Sequence, residues 1–204
     1  MTRIPEDFTG PGLIDIQVNG YAGLDFNGEP DDWTAAEWRR AADTLKQRGV
    51  VAALPTLITD DAERMLARAE RYAALVEEDA DLASRFPRLH IEGPFISPEE
   101  GPRGAHPAEF CITPPEGPEL LRRLHETSGG RVAILTLAPE LPGARSLIEQ
   151  CGELRICAAI GHTRAEPDEI DAAVRAGARL AVHLGNGSHQ MLPRLDNYVQ
   201  SQLA

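Results

Sequence analysis

Six times along the chain a short apolar run gives way to a stretch whose apolar residues recur at helical spacing, and few folds accommodate that order. The apolar runs cover 12–18, 50–57, 88–92, 131–137, 155–160 and 178–184, each short enough for a buried strand. Between the first two, Ala35, Trp38, Ala41, Ala42 and Leu45 make one stripe of a helix over 34–48 that Gly49 stops. Asp60, with Glu63 three residues on, predicts the start of a second helix with Met65, Ala69, Tyr72, Ala73 and Val76 inside. Pro118 opens a third helix carrying Leu120, Leu121 and Leu124, and a fourth spans 144–151. A fifth runs from Pro167 to its stop at Gly177, with Ile170 and Val174 inside, and a sixth is expected over 196–203.

Six strand–helix units in succession predict an α/β fold: a parallel sheet with helices outside it, either doubly wound or a (β/α)8 TIM-type barrel. A doubly wound nucleotide-binding sheet usually carries a glycine-rich phosphate loop after its first strand. Here that place reads Asn19-Gly-Tyr-Ala-Gly23, with neither GxGxxG nor GxxxxGK[ST], which favours the barrel. A barrel typically needs about 250 residues and eight strands. With 204 residues and about six units, an incomplete barrel domain is expected over 11–204, after a lead-in of residues 1–10.

Composition narrows the partners. Hydrophobic residues at 42% and charged residues at 25% describe a chain that folds around a core. The 20 Lys and Arg against 32 Asp and Glu give a net charge of −12, which excludes a broadly basic nucleic-acid surface. The longest central apolar stretch, 49–58, is broken by Pro55 and falls short of the roughly 20 residues that span a bilayer, so no membrane partner is expected. Residues 1–10 lack an apolar targeting core, which makes the cytoplasm the expected compartment. Cys111, Cys151 and Cys157 lack CxxC spacing and are expected as free thiols.

A barrel places its active site at the carboxyl ends of its strands. The successive runs end at Gln17 and Asn19, Thr56, Glu92, Glu140, His162 and His183. One carboxylate and two imidazoles on one rim can give a divalent metal three ligands and leave a position open, the pattern of a catalytic site. Zinc in such a site lowers the pKa of its water to about 7 and polarises carbonyls. The Pro- and Gly-rich stretch 93–117, which holds His106, follows the third run directly and is long enough to be functional. His90 lies two residues before Glu92 and is expected in the core, His125 is expected on a solvated helix face, and His189 is less committed.

The motifs at these positions resemble the N-acetylglucosamine-6-phosphate deacetylases of the amidohydrolase superfamily. They are Pro11-Gly-Leu-Ile-Asp-Ile-Gln-Val-Asn-Gly20, His90-Ile-Glu-Gly-Pro-Phe-Ile-Ser-Pro98, Gly104-Ala-His106, Leu137-Ala-Pro-Glu140, Ile160-Gly-His-Thr163 and His183-Leu-Gly-Asn186, in the family's order. The resemblance implies a distorted barrel that hydrolyses the N-acetyl group of N-acetylglucosamine 6-phosphate to acetate and glucosamine 6-phosphate. It implies metal ligands at Glu92, His162 and His183, most simply for one Zn2+, with Fe2+, Co2+ or Mn2+ as other candidates. Gln17 and Asn19 stand where superfamily members with two metals carry His-x-His, so a single ion is expected. His106 would contact substrate near the scissile carbonyl, and Asn186 and Gly187 would bind it partly through backbone. Arg194 matches an arginine that crosses the family's homodimer to the neighbouring subunit's phosphate. With Arg194, His189 is a cation that a phosphate could use. The family's catalytic aspartate and small β-sandwich domain match no residues of this sequence.

The segment 185–194 departs from the family's Asn-Ala-Met type of sequence where it meets substrate, so another amide is the neighbouring reading. A non-catalytic, metal-binding partial barrel is the other.

Overall fold

The structure, a computed structural model, describes residues 10–112, 117–195 and 197–203. Apart from Gly10, the expected lead-in lies outside the described residues. Six strands form one parallel sheet: β1 (Leu13–Val18), β4 (Val50–Ile58), β5 (Leu89–Glu92), β6 (Val132–Leu137), β7 (Cys157–Ile160) and β8 (Leu180–Ala181). Each pairs with the next in sequence, in the order β1-β4-β5-β6-β7-β8. A doubly wound sheet reverses its order at a switch point; strictly sequential neighbours are the order of a barrel wall. A short hairpin of β2 (Gly20–Tyr21) and β3 (Leu24–Asp25) follows β1.

The helices are α1 (Ala35–Gln47), α2 (Ala62–Glu78), α3 (Ala80–Arg85), α4 (Gly117–Thr127), α5 (Ala144–Glu153), α6 (Pro167–Ala176) and α7 (Tyr198–Leu203). At the start of α1, the Thr34 hydroxyl accepts from the Glu37 amide and the Glu37 carboxylate accepts from the Thr34 amide, which satisfies two otherwise unpaired amides.

The period of two along the strands sorts residues between two faces. Leu89, Ile91, Leu135, Leu137 and Ile160 join the main core with Trp38, Tyr72, Leu121 and Leu147 from the helices. The opposite face carries a smaller cluster of Leu54, Ile134, Ala159 and Val182. Burial on both faces explains why the strands read as continuous apolar runs. No helix among the described residues is long and apolar enough to cross a membrane, and the three cysteines are free.

Several expectations need correcting. The cap of α2 is Asp61, whose carboxylate accepts from the Glu63 and Arg64 amides; Asp60 turns to Arg68 instead. Val174 is 49% exposed, although Ile170 is buried. The last strand shrinks from 178–184 to Leu180–Ala181, so His183 stands beyond its end. The fifth apolar run starts late because Arg155 takes a left-handed turn at φ 59° before β7. His125 is not solvated throughout, since its Nδ1 is buried without a partner.

The Arg68 side chain is 2% exposed; it pairs with Asp60 at 2.7 Å and donates to the Gly28 carbonyl at 3.0 Å. This strut ties α2 to the segment after β3. Removing one member of a buried pair strands the other, so Asp60→Ala is expected to destabilise by about 3 kcal/mol in denaturant unfolding. Burial pushes the Asp60 carboxyl up, but the Arg68 hydrogen bond and its charge help to bring it below the ordinary 3.8. A carboxyl depressed on folding contributes stability above its unfolded value and loses it as pH falls through the folded one. The gap between wild type and Asp60→Ala is therefore expected to narrow below about pH 4.

Candidate metal centre

Glu92 ends β5 and is 2% exposed, a position that burial alone would make costly for a charge. One of its oxygens, Oε1, gathers three nitrogens: Gln17 Nε2 at 2.6 Å, His183 Nε2 at 2.8 Å and His162 Nε2 at 3.3 Å. Burial raises the Glu92 carboxyl, but its contacts with His162 and His183 outweigh that and hold the group ionised, well below the usual carboxylate range. The same contact raises His183 above the ordinary imidazole value.

His162 follows β7 and is 6% exposed. Its Nδ1 donates to the Pro102 carbonyl at 2.9 Å, and a carbonyl can only accept, so a ring carrying a single proton turns an unprotonated Nε2 toward Glu92. Two acceptors 3.3 Å apart repel unless a proton or a cation stands between them. That opposition, with a carboxylate and imidazoles as donors, fits a divalent metal.

His106 comes from the long loop and is 6% exposed, its ring centred 4.4 Å from that of His162. Its Nδ1 bonds to the Thr59 hydroxyl at 2.9 Å, and burial pushes its pKa down to about 4, which leaves it neutral near pH 7. Glu92, His106 and His162 offer ligand atoms within 4.8 Å of one another. His183 joins through its contact with the Glu92 oxygen and its ring, 4.9 Å from that of His162.

Backbone geometry sets two of these rings apart. Among the described residues, four non-glycine residues have positive φ, and His162 (50°) and His183 (26°) are two of them. Such conformations cost of order 1 kcal/mol or more each and gather at functional sites.

A cavity of about 300 Å³ opens over this cluster, lined among others by Gln17, Asn19, Glu92, His106, His162, His183, Asn186 and Gly187. It is within the range of small-ligand sites. A slightly larger cleft of about 380 Å³ lies against α6 and β8, but its wall of Ile170, Val174 and Leu180 with Asp171 and Arg179 offers no convergent metal-binding set. Gly187, at φ 62°, lies so close to His162 that a Cβ there would stand 2.7 Å from Nδ1.

The structure thus brings together every sequence-expected site residue except Arg194, which is exposed and outside this cavity. Gln17 reaches Glu92, whereas Asn19 lines the cavity from an exposed position. His90 is fully buried, bonding to the Ile16 carbonyl and the Thr136 hydroxyl, in keeping with a core role. His189 bonds to Glu99 at 3.0 Å. Sequence reasoning passed over Thr59 and Pro102, which no motif flagged, and gave Glu140 no role beyond a rim position.

No family model matches the chain. It is 34% identical over 185 residues to an N-acetylglucosamine-6-phosphate deacetylase of Danio rerio, covering 90% of this chain and 43% of that one. It is 35% identical over 193 residues to an N-acetylgalactosamine-6-phosphate deacetylase of Shewanella sp., covering 95% and 46%. Among solved structures, a mutant N-acetyl-D-glucosamine-6-phosphate deacetylase from Mycobacterium smegmatis, in complex with N-acetyl-D-glucosamine-6-phosphate, superposes with a TM-score of 0.81. The match has 27% identity and covers 98% of this chain and 52% of that one. The chain spans about half the length of the relatives it matches.

Proposed function

The chain belongs with the N-acetylglucosamine-6-phosphate deacetylases, as a relative spanning about half their length, and from that premise we propose that it carries their metal-dependent hydrolytic site. The observation that carries the reading is the meeting of His162 and His183 on one buried Glu92 oxygen, at the strand ends of a barrel wall. In this reading Glu92, His162 and His183 hold one zinc ion, with Fe2+, Co2+ or Mn2+ as other candidates. His106, whose Nδ1 bonds to Thr59, is given to the substrate in this reading rather than to the ion. A divalent cation, when bound, supplies Lewis acidity toward an amide carbonyl.

The chain's own residues supply the rest. Gln17 donates to Glu92 and steadies the carboxylate. His106, kept neutral by burial, faces the acetamido carbonyl from the wall of the cavity and orients it. Asn186 and Gly187 hold the sugar, with the lack of a side chain at 187 leaving room for the His162 ring. Arg194, exposed and free to reach outward, serves a neighbouring subunit's phosphate in a homodimer. The ligand is an amino-sugar phosphate rather than a nucleic acid or a lipid surface, and the compartment is the cytoplasm.

Because the family's catalytic aspartate matches no residue of this sequence, this chain alone is expected to be inactive, and ligand binding is the readout. The zinc-loaded chain is expected to bind N-acetylglucosamine 6-phosphate more tightly than the unphosphorylated sugar or an N-acyl amino acid. Binding indifferent to the phosphate sinks the sugar-phosphate assignment in favour of another amide. Preference for the galactosamine epimer corrects the sugar alone. No binding of any of these, with zinc bound, contradicts the deacetylase reading and leaves a non-catalytic metal-binding protein.

A further inference from the structure

His162 adopts a left-handed backbone, at φ 50°, that a residue with a Cβ rarely takes without being held. On one side the Ser97 amide donates to its carbonyl at 3.0 Å, and its ring bonds to Pro102. On the other side stands Glu140, in the turn after β6. Its Oε2 accepts from the Thr163 hydroxyl, and its Oε1 accepts from the Arg164 amide at 2.9 Å. The Thr163 hydroxyl in turn accepts from the Ala165 amide at 2.9 Å. Both oxygens of one carboxylate are thus spent on the two residues that follow His162, through charge-assisted bonds of the stronger kind.

We propose that Glu140 is a positioning residue: by gripping Thr163 and Arg164 it fixes the turn that directs His162 Nε2 at Glu92. Glu140 bonds to neither Glu92 nor any imidazole of the cluster, so it acts only through His162. The consequence for metal affinity rests on the reading of this cluster as a metal site; the consequence for the ring does not.

The test is nitrogen-15 NMR of the histidine rings in the metal-free chain, together with a titration by zinc alone. Wild type is expected to show His162 as a single tautomer protonated at Nδ1. In Glu140→Ala that preference should give way to a mixture, with zinc affinity falling by about 10- to 100-fold, the range for losing a group that orients a ligand. Glu140→Gln should recover most of both, since its amide oxygen can accept from Arg164 while its amino group donates to the Thr163 hydroxyl. Thr34→Ala, which removes the distant cap of α1, should lower stability and change neither readout.

A Glu140→Ala protein with wild-type His162 resonances and zinc affinity overturns the proposal, as does an equal loss in Thr34→Ala. If Glu140→Ala fails to fold, Thr163→Val, which removes one of the two bonds, should shift both readouts less in the same direction; no shift overturns the proposal. Zinc binding with an indifferent His162 ring sinks this proposal alone. A tautomer that follows Glu140 in a chain that binds no zinc sinks the metal reading alone.

Discussion

Glu92→Ala is expected to weaken zinc binding by at least about 100-fold, beyond the usual effect of losing a group that merely orients a ligand. The substitution removes the oxygen on which Gln17, His162 and His183 converge. It also leaves the Gln17 and His183 nitrogens without their acceptor in a site that is 2% exposed at Glu92, so a stability loss of about 1–3 kcal/mol should accompany it. His183→Ala is expected to lose most of the metal as well, while His106→Ala keeps it and weakens substrate binding. The group of Glu92 with His106 and His162, whose ligand atoms lie within 4.8 Å of one another, gives the opposite order of metal loss for the last two variants. Calorimetric titration with zinc separates the two ligand sets, and equal affinity in Glu92→Ala and wild type contradicts both.

Trp38→Ala is expected to cost about 3–5 kcal/mol, the range for truncating a large buried aromatic. Trp38 is fully buried among Phe26, Trp33, Tyr72 and Phe86, with ring centroids 4.9 to 6.0 Å away. With Trp38 itself in α1, these residues come from the segment between β3 and α1, from α2 and from the approach to β5, so one cavity loosens four parts of the chain. The indole Nε1 is buried without a hydrogen-bond partner, so Trp38→Phe removes an unsatisfied donor and should cost much less. The cluster also borders the site's support, because Asn27, next to Phe26, bonds to the Thr56 carbonyl and the Ile58 amide at the end of β4. Urea unfolding checks the pair of variants; equal losses, or a loss below 1 kcal/mol in the alanine variant, contradict this packing account.

Where local periodicity decides structure, the sequence was sufficient. The stripe from Met65 to Val76 and the run ending at Glu92 correspond to buried residues of α2 and β5. The rim was legible for the same reason, since a strand's last inward residue is visible in its period. Choices between adjacent candidates were not legible. Asp60 and Asp61 both suit a cap, and only the distant Arg68 claims Asp60. Val174 fits the helical stripe as well as Ile170, but no described element covers it. The supports of the site lay furthest from reach: Pro102 holds His162 across 60 residues and Thr59 holds His106 across 47. Neither residue type advertises that role, because a backbone carbonyl belongs to every residue and a threonine at a strand end has many uses. Glu140 ended a visible motif, yet its grip on Thr163 and Arg164 depends on how two neighbouring strand ends lie side by side.

The most direct test of the metal centre is elemental analysis of the folded chain after zinc reconstitution and removal of free metal. About one zinc ion per chain, lost in Glu92→Ala, is the predicted result for three protein ligands around one open position. A folded chain that retains no metal, or that retains the same amount without Glu92, contradicts it.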